Sequence, residues 1–337
     1  MAKLADAQAS GACGGNTMPV RVRLSAPTLF SFATGTKVMI AVFWGFALFA
    51  SAIIANKMIL ASVPPGLFVA LRMSSAGLIL IFLYIRSSPR LRWGYLKQDV
   101  VPLAGISLFT TLIPSIFKAY GLKHLLASKA AFIGSLDPFI TAIYEYLFWG
   151  KTLSWQKVIG IIIGFAGTML LLVTRTSVSE GKELLYFLSY PELAALLAMA
   201  IGRLGWMLVQ VMVRTERYTP AEVNGVTMLA SGALAVPYVY LFEVLPPLHA
   251  FADPRLLALF AFTVLVGNVI AYNMYANFLR RYSSTFVSLA GFSVPIFVFL
   301  FGWLVLGEPL SMTFILASAI TLVGLMIFYR EEITQRA

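Results

Sequence analysis

Two charged residues stand near the middle of long apolar runs. Asp137 lies within the run 127–149, and Arg203 lies within the run 190–213. A charge at the centre of a bilayer costs roughly 2.5 to 3.5 kcal/mol, so each of these residues needs a partner or water. We predict that Asp137 and Arg203 pair or share one polar cavity, where they could bind a ligand or exchange a proton. A buried structural pair with no further role is the alternative.

Two further apolar runs carry matching stripes of polar residues. Thr111, Ser115 and Lys118 stand at i, i+4 and i+7, which is one face of an α-helix. A shift of 157 positions carries this stripe to Asn268, Tyr272 and Tyr275. Polar groups in hydrocarbon either hydrogen-bond between helices or face the interior of the bundle. We interpret the matched stripes as a cavity lining, and interhelical hydrogen bonding is the alternative.

The remaining charges within apolar runs are mostly basic. Arg72 and Lys118 lie nearer the ends of their runs, where long side chains can snorkel to the headgroups. With Arg203 they give three cations against two anions, Asp137 and Glu145. A basic cavity favours an anionic ligand, because Arg and Lys suit carboxylates and phosphates. If Glu145 is buried it could exchange protons as a coupling group, and if exposed it is an interfacial carboxylate.

The elements that position these residues follow from composition. Hydrophobic residues make up 60% of the chain and charged residues 12%, and the mean hydropathy is +0.86. Soluble domains are about one quarter charged, so the chain is predicted to lie in a membrane. Apolar runs of about 18 to 24 residues can cross roughly 30 Å of hydrocarbon as helices. They lie at 38–57, 66–86, 101–121, 127–149, 156–174, 190–213, 223–242, 256–279, 284–305 and 312–329.

The same shift of 157 positions relates the two halves of the chain. It places Gly134 on Gly291 and Pro138 on Pro295, so the prolines interrupt two predicted helices at equivalent positions. The halves are predicted to be five-helix repeats, 38–174 and 190–330, joined by a linker at 175–189. Because five is odd, the second repeat enters the membrane from the opposite side. The predicted fold is therefore an all-α integral membrane protein with ten transmembrane helices in two inverted repeats.

Lys and Arg in the connections predict the orientation. With the N-terminus in the cytoplasm, the inner connections and C-terminal tail carry twelve such residues and the outer connections six. This ratio favours cytoplasmic termini, in a bacterial inner membrane, and explains the net charge of +11 without nucleic acid. Residues 1–36 lack the apolar core of a signal peptide, and we expect a disordered tail or a start codon assigned too far upstream.

Motifs of common enzyme chemistry are absent from the sequence. The single Cys13 excludes an internal disulfide, and His124 and His249 are too far apart to indicate a metal motif. HExxH and GxSxG are also absent. We therefore expect no metal and no cofactor, and an integral-membrane enzyme is the disfavoured alternative.

Several motifs resemble one family. They are Trp44-Gly45, Pro64-Pro65 followed by Arg72, the block Ser128 to Gly167, and its second copy with the turn Gly307-Glu308. Together they resemble the EamA-type members of the drug/metabolite transporter superfamily, although Lys151 stands where that family usually has Glu. The resemblance implies a ten-helix secondary transporter with a central cavity between the repeats.

A transporter of this kind would move a small organic metabolite by alternating access, and the basic residues favour an anionic one. A proton-coupled exporter of amino acids or cationic drugs is the alternative. The candidate substrate contacts are Arg72, Lys118, Arg203, Asn268, Tyr272 and Tyr275. Asp137 and Glu145 are the candidate charge partners or coupling groups. Lipid surrounds the protein, and the Gly160 and Gly164 pair allows a homodimer, although packing within the chain is the simpler expectation.

Overall fold

The structure is a computed structural model, and part of the chain is described in it. The described residues are 32–87, 98–150, 153–173, 183–185, 188–214, 218–247, 253–282, 284–309 and 312–334. The packing described below is that of the compact unit that begins at Ala41. The predicted tail falls largely outside the described residues.

Helices occupy the positions of the predicted apolar runs, and we number them α1 to α10 in chain order. Six are continuous: α1 (Phe32–Leu60), α2 (Pro65–Ser87), α5 (Trp155–Val173), α6 (Tyr190–Arg214), α7 (Pro220–Phe242) and α10 (Met312–Thr334). Four consist of consecutive segments: α3 (Val100–Ile106, Ser107–Leu112, Ile113–His124), α4 (Ala127–Ile133, Gly134–Leu136, Asp137–Trp149), α8 (Pro254–Phe262, Thr263–Tyr272, Asn273–Arg281) and α9 (Ser284–Gly291, Ser293–Phe301, Gly302–Leu306). The interrupted helices are equivalent pairs under the 157-residue shift.

The interruptions in α4 and α9 match the prediction made from the two prolines. Helix α4 tightens to a 3₁₀ turn at Gly134–Leu136, and α9 breaks at Phe292, each just before its proline. Both helices end in a left-handed glycine, Gly150 with φ 61° and Gly307 with φ 66°. Glycine adopts this conformation without a Cβ clash, so both helices stop at equivalent positions.

In α3 and α8 the interruption is a wider, π-helical turn. It covers Ser107–Leu112 in α3 and Thr263–Tyr272 in α8. A π turn bonds i to i+5 instead of i to i+4, so it rotates the preceding residues relative to those that follow. The polar stripes predicted on an ideal helix are therefore split at these turns.

Equivalent helices of the two halves pack in antiparallel pairs. A Cβ added at Gly77 of α2 would lie 2.5 Å from the Leu229 backbone nitrogen of α7, and one at Gly160 of α5 would lie 2.7 Å from Phe328 Cβ of α10. Glycines thus allow close approach of the helices in both pairs. The small-residue face of α5 is used within the chain, and a homodimer stays a prediction.

Three charged side chains hold helix ends in place. Lys57 donates to the carbonyls of Leu122, Lys123 and Leu125 at the end of α3, and Arg214 donates to those of Leu279 and Tyr282 at the end of α8. Glu308 accepts hydrogen bonds from the amides of Ala127 and Ser128 at the start of α4. Cations suit helix C-termini and anions suit N-termini, where backbone groups lack partners.

The outer surface of the bundle is apolar. Side chains such as Phe82, Ile162 and Met326 are more than 60% exposed. Within the described residues five helices are long and apolar enough to cross a membrane, and four shorter apolar helices accompany them. The chain is therefore an all-α integral membrane protein. A two-stranded antiparallel hairpin, β1 (Glu183–Leu185) with β2 (Leu188–Ser189), lies in the predicted linker.

Candidate functional site

A central cavity of about 220 Å³ lies between the two halves of the bundle. Its walls come from α1, α3 and α4 of the first half and from α6, α8 and α9 of the second. These are equivalent sets under the 157-residue shift, and they include all four interrupted helices. Interrupted helices expose polar groups where the bundle contains a cavity, which is where membrane proteins tolerate them.

An ion pair lies in the wall of this cavity. Arg203 Nη1 of α6 donates to Asp137 Oδ2 of α4 at 3.1 Å and to the Tyr275 hydroxyl of α8 at the same distance. Ser288 of α9 donates to the same Asp137 oxygen at 2.7 Å. The predicted pairing of Asp137 with Arg203 is thus present in the structure. It joins four helices from both halves.

The two partners of this ion pair differ in exposure. The Arg203 side chain is 0% exposed, whereas that of Asp137 is 25% exposed. Within the described residues both hydrogen bonds to the Asp137 carboxylate end on Oδ2, and the side chain is partly exposed in the cavity lining. Asp137 can therefore offer a carboxylate oxygen to a cationic group while Arg203 holds it in place.

Aromatic rings from α1, α6 and α8 form another part of the cavity wall. Trp206 of α6 lies 4.5 Å from Tyr275 and 5.2 Å from Tyr272, measured between ring centroids. Phe49 and Phe46 of α1 extend the cluster, at 5.9 Å from Tyr272 and 6.2 Å from Tyr275 respectively. Aromatic faces bind flat rings by stacking and bind organic cations through their π electrons.

Comparison with known families identifies this architecture. The sequence profile of the EamA-like transporter family matches residues 36–173 and 189–330, the two halves described above. The chain belongs to the EamA-like transporter family. The expected family is thus confirmed, and the protein is a transporter rather than an enzyme.

Relatives of this EamA-like protein are similar over most of its length. An S-adenosylmethionine/S-adenosylhomocysteine transporter of Chlamydia muridarum (strain MoPn / Nigg) is 28% identical over 297 residues, which cover 87% of this chain and 92% of the relative. A transporter of the same name from Chlamydia trachomatis serovar L2 is 26% identical over 295 residues, 87% of this chain and 89% of the relative. One solved crystal structure has a TM-score of 0.61 at 20% identity, covering 89% of this chain and 99% of the other, and so shares its fold.

Four other predicted site residues of this EamA-like protein lie around the cavity. Lys118, Tyr272 and Tyr275 line its wall with the ion pair. Arg72 lies in a smaller adjoining cavity, where it is buried instead of extended to the membrane surface. Contact of these residues with a substrate stays a prediction.

The structure places Asn268 elsewhere. It is fully buried, and its amide donates to the sulfur atoms of Met73 in α2 and Met228 in α7. Its equivalent Thr111 is also buried and contacts Ser231 of α7. Both residues belong to π-helical turns, which rotate them away from the face that carries Ser115 and Tyr275 in the following segments. They hydrogen-bond between helices, so the cavity expectation was wrong for the first member of each stripe.

Glu145 lies outside the cavity lining in the described part of the chain. It is half-buried in α4, beside Tyr144, whose hydroxyl donates to the Ala200 carbonyl of α6. A coupling role for Glu145 stays a prediction.

Two residues that line the cavity were not predicted from the sequence. Trp206 follows Arg203 by three positions on α6, so helical spacing alone could have placed both on one face. Ser288 reaches Asp137 only because α9 packs antiparallel to α4. The sequence holds no comparable signal for that contact.

Proposed function

We propose that this chain moves S-adenosylmethionine, S-adenosylhomocysteine or both across the membrane by alternating access. The single observation that carries this proposal is that Asp137 and a cluster of aromatic rings line the same central cavity. Two Chlamydia relatives that are named as transporters of these compounds match 87% of this chain.

The cavity chemistry fits this class of compound. S-adenosylmethionine combines a flat purine with a sulfonium cation, an α-ammonium and a carboxylate. Trp206, Tyr272 and Tyr275 give faces on which a purine can stack, and base stacking on an aromatic side chain is worth about 1 to 3 kcal/mol. Asp137 offers a carboxylate oxygen to a cationic group. The proposed substrates are a cation and a zwitterion, and an anionic substrate stays a prediction.

The cavity size supports a change of shape during transport. Ligand pockets commonly measure about 300 to 1,000 Å³, and the central cavity measures about 220 Å³. A nucleoside with an amino-acid side chain would require the walls to separate. Four of the six wall helices are interrupted, and interrupted helices can bend at these points.

Helix directions support two inverted repeats with ten membrane spans. Under the 157-residue shift α2 corresponds to α7 and α5 to α10, yet each pair runs antiparallel. A repeat whose helices run opposite to their equivalents is turned over in the membrane, which is the geometry that lets one site open to either side. We propose that both termini lie in the cytoplasm of a bacterial inner membrane.

Uptake into proteoliposomes tests the proposed substrate. We expect labelled S-adenosylmethionine to enter vesicles containing the wild-type protein, and unlabelled S-adenosylhomocysteine inside to accelerate entry if the two exchange. Trp206→Ala is expected to reduce uptake about 10- to 100-fold through lost stacking, whereas Trp206→Phe retains most of it. Trp155→Ala is the matched control, because Trp155 is 78% exposed and lies outside the cavity lining.

Other outcomes of this experiment would overturn the substrate assignment. No uptake of either compound by a folded wild-type protein would reject it. Transport of amines or lipophilic cations alone, driven by a proton gradient, would support the proton-coupled exporter instead.

A further inference from the structure

A second, smaller cavity of about 40 Å³ adjoins the central one. It shares Ser115, Lys118 and Tyr272 with the central cavity and adds Asn56 of α1 and Arg72 of α2. A cavity needs about 10 to 15 Å³ of accessible space to hold one water molecule, so this one can hold a small polar group but not a purine. We call it the Arg72 pocket.

The guanidinium of Arg72 is buried and incompletely hydrogen-bonded. Arg72 is 9% exposed, and its Cζ lies 4.8 Å from the centre of the Phe68 ring. The ring stabilises the delocalised charge from one face and leaves the N–H groups at the edge free. Within the described residues Arg72 Nε has no hydrogen-bond partner. Arg72 therefore has donors to offer a ligand in the pocket.

The charge of the Arg72 pocket is positive. Its lining contains Arg72 and Lys118, and none of its described lining residues is acidic. Asp137 lies in the central cavity, where it is already bonded to Arg203 and Ser288. A buried cation without a counter-ion is costly, and an anion that enters the pocket lowers this cost.

Asn56 gives the pocket a second polar partner. Its Oδ1 atom is buried and has no hydrogen-bond partner among the described residues. A side-chain amide oxygen accepts hydrogen bonds from ammonium groups. The pocket thus combines cationic donors with an acceptor, which is the pattern required by the two charged groups of an amino acid.

We propose that the Arg72 pocket binds the α-carboxylate of the transported compound through Arg72 and Lys118, with Asn56 accepting from its α-ammonium. The nucleoside then lies in the central cavity against Trp206, Tyr272 and Tyr275. This assignment rests on the proposed substrate class. The amino-acid group of the substrate binds in one space, and its nucleoside binds in the connected one. Lys118 and Tyr272 line both spaces and mark where the compound passes from one to the other.

Two ligands allow the role of the Arg72 pocket to be tested independently of the aromatic wall. S-adenosylhomocysteine carries the amino-acid group, whereas 5′-methylthioadenosine keeps the adenosine and the thioether but lacks that group. Equilibrium binding of both is measured on the full-length wild-type protein and on Arg72→Gln and Lys118→Gln. Arg86→Gln is the control, because Arg86 is an exposed residue of the same helix.

We expect Arg72→Gln and Lys118→Gln each to weaken S-adenosylhomocysteine binding about 10- to 100-fold, the range for a lost hydrogen bond to a charged group. Binding of 5′-methylthioadenosine is expected to change less than threefold, which also proves that each variant is folded. If Arg72→Gln binds neither ligand because it does not fold, Lys118→Gln decides the assignment. The quantity to compare is its loss of affinity for S-adenosylhomocysteine relative to its loss of affinity for 5′-methylthioadenosine.

The remaining outcomes overturn the assignment and distinguish its failure from that of the proposed function. Equal weakening of both ligands would reject the carboxylate site and keep the substrate. Competition by inorganic phosphate against 5′-methylthioadenosine as strong as against S-adenosylhomocysteine would place the anion site outside the Arg72 pocket and reject the assignment. Failure of the wild type to bind either ligand would reject the substrate and the pocket assignment together.

Discussion

At the scale of single residues, Asp137 is the side chain on which the proposed site depends most. It pairs with Arg203, accepts a hydrogen bond from Ser288 and lines the central cavity with a partly exposed side chain. The Arg203 side chain has no exposed surface, so water cannot take the place of Asp137 as its partner. Removal of one partner leaves a buried charge, which is usually more destabilising than removal of both.

The Asp137→Asn variant tests this role. We expect the loss of charge to lower the free energy of unfolding by about 1 to 3 kcal/mol and to reduce uptake at least tenfold. The double variant Asp137→Asn with Arg203→Gln should regain stability but not uptake. Asp253→Asn is the control, because Asp253 caps α8 at an exposed position and Asn caps helices equally well. Uptake by Asp137→Asn equal to that of the control would remove Asp137 from the mechanism.

At the scale of secondary structure, the continuous helices and the interrupted helices have different tasks. Helices α2, α5, α7 and α10 are continuous and pack in glycine-lined antiparallel pairs, away from the central cavity. Helices α3, α4, α8 and α9 are interrupted and line it. The rigid pairs therefore form a scaffold around helices that can bend.

Two glycine substitutions distinguish the scaffold from the cavity wall. A Cβ at Gly77 would lie 2.5 Å from the Leu229 backbone nitrogen, so Gly77→Ala must push α2 away from α7. We expect a loss of about 1 to 3 kcal/mol, seen as a lower thermal unfolding temperature. Gly134→Ala in α4 is the matched control, because nothing lies within 4 Å of its added Cβ and its φ is −62°. Equal stability of the two variants would contradict the close packing of α2 with α7.

At the scale of the whole molecule, three charge-assisted contacts among the described residues join the two halves at the end that contains Glu308. There Glu308 of α9 bonds to the start of α4, and Lys129 of α4 pairs with Glu192 of α6. At the same end Glu243, which follows α7, accepts from the amides of Gly66 and Leu67 in α2 at 2.6 and 2.8 Å. The contacts of Glu308 and of Lys129 with Glu192 join helices that line the cavity, and the proposed alternating access requires some of them to break. Glu243 instead joins α7 to α2, whose described residues do not line it.

Glu308→Gln is expected to loosen this end of the molecule. An amide accepts fewer hydrogen bonds than a carboxylate and carries no charge for the α4 N-terminus. In a Cys13→Ser background, we expect the variant to raise the reaction rate of Lys118→Cys with an impermeant thiol reagent about tenfold. Glu243→Gln is the matched control, since α2 and α7 stay packed along their length. Equal rates in both variants would show that Glu308 does not keep this end closed.

The sequence by itself determined the environment, the helices and the repeat. Hydrophobic run length fixes where helices form in a membrane protein, because every backbone group in hydrocarbon must bond within its own helix. For the same reason two charges within apolar runs, Asp137 and Arg203, had to find partners, and each was the partner of the other. Prolines and glycines repeated at a constant spacing marked where α4 and α9 are interrupted and end.

Only the tertiary structure decided which face of each helix meets the cavity. The π-helical turns of α3 and α8 place Thr111 and Asn268 in contacts between helices. The sequence could not predict these turns, because such a short stretch of π-helical hydrogen bonds leaves no periodic pattern of residue types. Contacts between distant segments, such as Ser288 with Asp137 and Arg72 with its pocket, depend on how antiparallel helices pack. Hydrophobic periodicity tells which residues avoid water, but the partner that each one meets is set by the packing of the whole bundle.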